Sequence, residues 1–252
     1  MNDKSPICTD WAFSKVIGKG TDMAIYSISD LHLSLGVDKP MEVFGANWTD
    51  YVRRLRDNWE ALVAPEDIVL LPGDISWATY LAHAVPDFSF IEALPGIKVI
   101  TKGNHDYWWE TLSKMNAFLE KNEFSTIRFL HNTLFETEEA VICGTKGYPD
   151  TGGAVPEDET EAKLYLREAG RLEAALLEAK KRGNKKIIVM LHYPPGKDSV
   201  FAQMMRKYEV DICVYGHLHD KAHAGALQGM IGSVEYKLVS CDYLKFKPYR
   251  LL

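Results

Sequence analysis

Apolar residues along this chain collect into short unbroken runs, and each of several runs stops where acid, amide or imidazole side chains begin. Residues 23–29 lead into Asp30-Leu31-His32, residues 67–71 into Gly73-Asp74, and residues 97–100 into Gly103-Asn104-His105-Asp106. Residues 187–191 lead into His192-Tyr193-Pro194-Pro195-Gly196, and residues 210–215 into Gly216-His217-Leu218-His219. Runs of this length, rich in β-branched residues, predict strands buried on both faces. The polar groups then stand at the carboxyl ends of strands, where open α/β sheets place their ligand sites. In extended backbone, residues two apart face the same side, so Asp30 and His32 are expected to converge.

Between these runs the spacing turns helical. Trp48, Val52, Leu55, Trp59 and Leu62 recur at helical intervals behind Asn47 as N-cap, with Arg53, Arg54, Arg56 and Asp57 on a solvated face from which an arginine could reach a substrate phosphate. Residues 80–94 predict one or two short helices broken at Pro86, with His83 as a packing or surface residue. Residues 110–122 predict a helix with Leu112, Met115 and Leu119 inside, and another is expected near 199–208. Residues 157–182 predict a long helix with acids in its first turn, bases in its last, Gly183 beyond and its charges in solvent. The runs 127–130, 134–135 and 140–143 predict a second, partly antiparallel sheet, and 234–243 a closing strand. Residues 33–46 and 147–159 read as loops, the second either a flap over the site or, the reading preferred, a surface excursion. Tyr107, Trp108 and Trp109 are expected in the core, with room for one of them to wall the site. There is no internal repeat or linker, so residues 1–252 are expected to form one domain.

Composition adds bounds rather than identity. With 252 residues, 46% hydrophobic and 25% charged, the chain is ordinary for a globular protein. A net charge of -6 supplies no basic face for nucleic acid or anionic membrane, although a local cationic site is compatible with it. No apolar run is long enough to span a bilayer, and Asp3, Lys4, Asp10, Lys15 and Lys19 interrupt any signal-peptide core. Cys8, Cys143, Cys213 and Cys241 show no C-x-x-C spacing, which predicts buried free thiols and a cytoplasmic location.

The chemistry lies in the strand ends taken together. Five of the eight histidines directly follow strand-like runs. Asp30, Asp74, Asn104, His32, His192, His217 and His219 are more donors than the roughly four of a tetrahedral zinc site. They suit two divalent ions about 3.5–4 Å apart that share a carboxylate. Mn, Fe, Zn and Ni all remain open, because such donors accept several metals. Two dications against two carboxylates and a hydroxide leave roughly +1, a cationic focus for phosphate on an acidic chain. They also lower the pKa of a shared water toward about 7, which makes hydroxide available for in-line attack on phosphorus. An unligated His105 could protonate the leaving oxygen, worth about 10²- to 10⁴-fold.

In their order, these motifs resemble those of the calcineurin-like metallophosphoesterases, and the resemblance runs from Ile25 to about His219. It implies an α/β fold (α+β by some schemes), a four-layer αββα sandwich of two mixed sheets with a dinuclear metal centre at the strand ends. It further implies Asp30, His32 and His219 on one metal, Asn104, His192 and His217 on the other, and Asp74 bridging. His105 would be the unligated catalytic histidine and Asp106 the group orienting it. The implied partner is a small-molecule phosphate ester, and the implied class a small bacterial-type phosphohydrolase acting on phosphodiesters of nucleotide-like molecules. Ile75-Ser76-Trp77 after Asp74 departs from the Asp-Arg-Gly of the Ser/Thr protein phosphatases. UDP-diacylglucosamine hydrolases share the opening at 29–33 but usually carry arginine where His105 stands, and the DNA-repair nucleases need a capping domain for which there is little room. The alternative is a non-catalytic metal-binding scaffold for a protein partner; a missing ligand or a missing His105 would mark it, and every motif position is filled.

Overall fold

The computed structural model describes residues 23–252, so Cys8 and the charges expected to interrupt a leader lie outside the described residues. The first half alternates strand and helix: β1 (Ile25–Ser27), α1 (Tyr51–Leu62), β2 (Ile68–Leu71), α2 (Val85–Ala93), β3 (Ile97–Ile100), α3 (Leu112–Lys121) and β4 (Ile127–Phe129). The second half continues with β5 (Phe135–Glu136), β6 (Ala140–Thr145), α4 (Glu159–Lys180), β7 (Lys186–Leu191), α5 (Val200–Lys207), β8 (Ile212–Tyr215), β9 (Gly229–Ile231), β10 (Val234–Leu238) and β11 (Tyr249–Arg250). These make two mixed sheets, ordered β11-β1-β2-β3-β4 and β5-β6-β7-β8-β10-β9. β1 to β4 are parallel and β11 closes their edge antiparallel. In the second sheet β6, β7, β8 and β10 are parallel, with β5 and β9 antiparallel at the two edges.

Strand alternation sorts the apolar residues into layers. Ile25, Ile68, Leu70 and Val99 of the first sheet meet Ile142, Ile188, Met190 and Val214 of the second in the seam between sheets. Their neighbours face outward, Val69, Leu71 and Ile100 toward α1–α3, and Cys143, Val189 and Cys213 toward α4 and α5. Strands covered on both faces need apolar side chains at every position, which is why the sequence shows runs rather than alternation. The result is the expected αββα sandwich of the α/β class.

Several local expectations differ. The helix expected behind Asn47 begins at Tyr51; Asn47 lies in a 3-10 turn, and the N-cap is Asp50, at φ 52 and with no side-chain capping bond. Leu62 is exposed, as the last residue of α1. Residues 80–94 do form two short helical segments, a 3-10 turn at Leu81–Ala84 and α2, but the break precedes Pro86, which sits in the first turn of α2, where a missing N–H costs nothing. The strand at 127–129 belongs to the first sheet, parallel to β3, and only β5 pairs antiparallel with β6 in that region. The closing strand stops at Leu238, and β9 and β11 are additions that the pattern did not indicate. The long helix α4 is capped by Asp158 and is not solvated throughout: Glu168 is buried and bonded to Thr145 and Arg171. Cys143, Cys213 and Cys241 are buried free thiols.

Candidate metal centre

The carboxyl ends of β1, β2 and β3 lie side by side in the first sheet, and those of β7 and β8 in the second. The chain reverses sharply as it leaves these strands. Asp30, His32, Asp74 and His217 all have positive φ, at 58, 46, 53 and 71 degrees. Such backbone is uncommon for residues other than glycine and gathers at functional sites. Asp30 and His32 therefore converge through two left-handed residues on either side of Leu31, after β1 has ended at Ser27, and not through the extended backbone the spacing suggested. Glycine lets the strand ends approach: a Cβ on Gly103 would collide with the Asp74 carboxylate, and one on Gly216 with Asp30 and Ser29.

All seven expected metal ligands come together. Asp30, His32 and His219 form one compact group of donor atoms, and Asp30, Asp74 and His192 a second. The Nε2 atoms of His32 and His219 face each other at 3.3 Å. Asn104 Oδ1 lies 2.6 Å from His192 Nε2 and 2.9 Å from His217 Nδ1. A single oxygen, Asp74 Oδ2, lies 3.8 Å from His32 Nε2 and 3.5 Å from His192 Nε2, so it faces both groups.

The surroundings fix which atoms are available. His192 Nδ1 is 3.1 Å from the Pro72 carbonyl and His219 Nδ1 is 2.9 Å from Asp242 Oδ1, so each ring is fixed through Nδ1 and turns its Nε2 inward. Asp30 accepts from the His217 N–H at 3.1 Å and from the Ser29 hydroxyl. The His105 N–H donates to Asp74 Oδ1 at 2.8 Å, which leaves Oδ2 free. The imidazole, carboxylate and amide donors gathered here fit divalent transition metals.

Electrostatics agrees with that reading. Burial raises the Asp30 carboxyl, but His219, His192 and His32 overcome it and hold it well below the usual range. Asp74 is pushed far above that range by burial and by the Asp106 and Asp30 carboxylates, an anion that only nearby positive charge could restore. Burial brings His32 down to about 3 and His192 down to about 4, keeping both neutral. His219 is instead raised to about 10, because Asp242 and Asp30 outweigh its burial.

The two residues expected to act in catalysis separate. His105 stands at the edge of the donor groups, its ring 5.7 Å from His32 and 4.6 Å from Trp77, with Nδ1 buried and unpartnered among the described residues. Asp106 does not pair with it. Its carboxylate accepts from the backbone of Gly103 (2.7 Å), Asp74 (2.9 Å) and Ile75 (2.9 Å) and from Trp108 Nε1 (3.1 Å), so it ties the β2 and β3 ends together. The walls differ as well: Trp108 is core, Tyr107 is largely exposed, and the rings against the donors are Trp77, stacked on His32 at 4.8 Å, and Tyr193, 4.6 Å from His217. Asp242 and Trp77 were not expected at the site. Trp77 follows Asp74 closely enough to have suggested it, whereas nothing local marks Asp242.

Comparison with known proteins bears on the whole arrangement. The sequence profile described as calcineurin-like phosphoesterase matches residues 23–221. No curated protein is significantly similar in sequence. Among solved structures, TT1561 of Thermus thermophilus is 14% identical with a TM-score of 0.50, over 86% of this chain and 88% of that one. A protein of unknown function from Aquifex aeolicus is 17% identical with a TM-score of 0.47, over 91% and 96%. The sulfate thiohydrolase SoxB of Thermus thermophilus is 15% identical with a TM-score of 0.45, over 90% of this chain and 53% of that one. The profile spans both sheets and every strand end that carries a donor, and on that match the chain belongs to the calcineurin-like phosphoesterases.

Proposed function

We propose that this chain, acting as one unit, hydrolyses phosphate esters at the strand-end centre, with small nucleotide-like phosphodiesters as its substrates. The observation that supports this most is the position of Asp74 Oδ2, within 3.8 Å of His32 Nε2 and 3.5 Å of His192 Nε2. On this reading Asp30, His32 and His219 hold one divalent ion, Asn104, His192 and His217 the other, and Asp74 both; Mn, Fe, Zn and Ni all suit the donors. Such a pair supplies Lewis acidity toward phosphoryl oxygens and a water of pKa near about 7.

The chain's own residues do the rest. Asp106 sets the spacing of the β2 and β3 ends through backbone N–H groups, and so places Asp74 and Asn104. His105, packed on Trp77 and held by its own N–H on Asp74, offers its imidazole to the leaving oxygen as a general acid. Burial lowers its pKa, with His217 and Lys39 adding to the effect, so the protonated ring is a stronger acid than a free histidine. Diesters with alkoxide leaving groups benefit most from such a proton.

Metal analysis coupled to a chromogenic monoester and diester panel tests this. Asp74→Asn is expected to lose both ions and turnover together; two ions per chain with normal turnover would remove the bridging role. His105→Ala is expected to keep the ions and lose about 10²- to 10⁴-fold in kcat on an ester with a poor leaving group. An unchanged rate there would rule out the acid.

A further inference from the structure

The arginines of α1 are engaged elsewhere: Arg53 is paired with Asp50 and Asp57, Arg54 bonds the Asn47 carbonyl, and Arg56 packs over Phe90. A cation approaches the centre instead from the segment between β1 and α1, whose sequence reads as a loop. The chain beyond β1 stays paired with the chain beyond β2: the Leu33 N–H donates to the Ile75 carbonyl at 2.9 Å, and the Trp77 N–H to the Leu33 carbonyl at 2.8 Å. Buried Asp87 fastens the residues that follow, accepting from the Leu35 N–H at 2.7 Å and from the Ser76 hydroxyl. Gly36 passes so close to the His83 carbonyl that a Cβ there would collide with it.

So anchored, the segment sets Lys39-Pro40-Met41 on the ring of Trp77. Met41 Sδ accepts from Trp77 Nε1 at 3.0 Å, and Lys39 Nζ lies 3.5 Å from the Trp77 ring centroid. Pro40 between them has its φ fixed by its own ring, at -66 degrees. Trp77 is also stacked on His32 at 4.8 Å and packs on His105 at 4.6 Å. One ring therefore touches the Lys39 ammonium, a metal-binding imidazole and the imidazole proposed as acid. Lys39 is half-buried, and among the described residues it enters no ion pair. An aromatic face attracts an ammonium but does not neutralise it, so the charge is available to an anion brought by a ligand. The approach to His105 is open beyond it, where Tyr107, 6.2 Å from its ring, is largely exposed.

We infer that Lys39 is a specificity-determining residue of this site and binds a negative charge carried by the leaving group of the substrate. This role presupposes the hydrolysis proposed above, with His105 as the acid. The metal pair answers the charge of the scissile phosphate. Lys39 stands instead on the side of His105, where the departing oxygen takes its proton, and a cation there favours a leaving group with an anionic substituent. The substrate class narrows accordingly, from nucleotide-like diesters in general to those whose leaving part is itself anionic.

Thymidine 5′-(p-nitrophenyl phosphate) and its analogue with a carboxylate on the nitrophenyl ring share one scissile phosphate and differ by one charge on the leaving group. With metal-loaded protein the analogue is expected to be preferred about tenfold in kcat/KM, the effect of a hydrogen-bonded charge, and the preference should shrink as salt is added. Lys39→Met should remove the preference through KM, while Lys39→Arg should retain most of it, with the metal content of both variants unchanged; a merely structural lysine would not separate the two esters. No preference in the native chain, or a preference that survives Lys39→Met, overturns the role. If neither ester turns over, the phosphoesterase reading is what fails. Lys39 is then read by calorimetry with the two intact esters: tighter binding of the carboxylated one to the native chain, lost in Lys39→Met, supports it, and equal binding overturns it.

Discussion

Asp242 lies outside every strand-end motif, yet it holds the His219 ring of the one that follows β8. Its Oδ1 holds His219 Nδ1 at 2.9 Å, while its Oδ2 is 3.2 Å from both the Asp220 N–H and His223 Nε2. A carboxylate on the outer nitrogen of a metal-binding imidazole orients the ring and raises its basicity, and its loss typically costs about 10- to 100-fold in metal affinity. Asp242→Asn is therefore expected to weaken binding of one of two ions by that amount in a competition titration against a chelating dye; equal affinity would place Asp242 outside the centre. This residue was not legible because its partner is 23 positions away, joined only when the segment after β10 pairs beside Ser29. Asp106 teaches the converse. Its adjacency to His105 suggests a pair, but left-handed and turn geometry around Asp74 delivers backbone N–H groups to the carboxylate first. Side-chain identity at the strand ends could be read, whereas the direction of each group depends on φ values that residue type does not announce.

Strand β3 carries a lysine in a layer that otherwise excludes charge. Lys98 is fully buried, and its Nζ donates to the Leu94 carbonyl at 2.6 Å. Burial brings its pKa down to about 8, with Glu92 opposing the shift, against about 10.4 for a free lysine. Between about pH 8 and 10 the unfolded chain binds more protons than the folded one, so stability rises with pH there and the penalty is full below that window. Lys98→Met is expected to stabilise the protein at pH 7 by about 1–3 kcal/mol, with the gain fading toward pH 10, as measured by urea unfolding. A loss of stability at pH 7 would mean that the bond to Leu94 outweighs desolvation. Existence and type of the long elements were readable from periodicity, including β2, β3, β7, β8 and α4. Sheet membership was not: a three-residue strand such as β4 fits either sheet until its neighbours are known.

The sandwich as a whole joins donors from both sheets, so metal binding and folding are expected to be linked. Described residues between Asp30 and Asp242 contribute to one centre, and no helix among them is long and apolar enough to cross a membrane. A ligand present at about 100 times its Kd adds about 2.7 kcal/mol, which for about 250 residues corresponds to a rise in Tm of roughly 5–10 °C. Adding Mn²⁺ to exhaustively chelated protein should produce that shift, and an unchanged Tm would count against a centre built in the native fold. Five strand-end motifs and their donor types could be read from the linear chain, because apolar runs and the polar groups that end them are local features. Tertiary structure alone decided that Asp74 Oδ2 faces both donor groups and that Asp106 serves backbone rather than His105. Those are contacts between segments tens of residues apart, and only close packing of the two sheets determines which atoms meet.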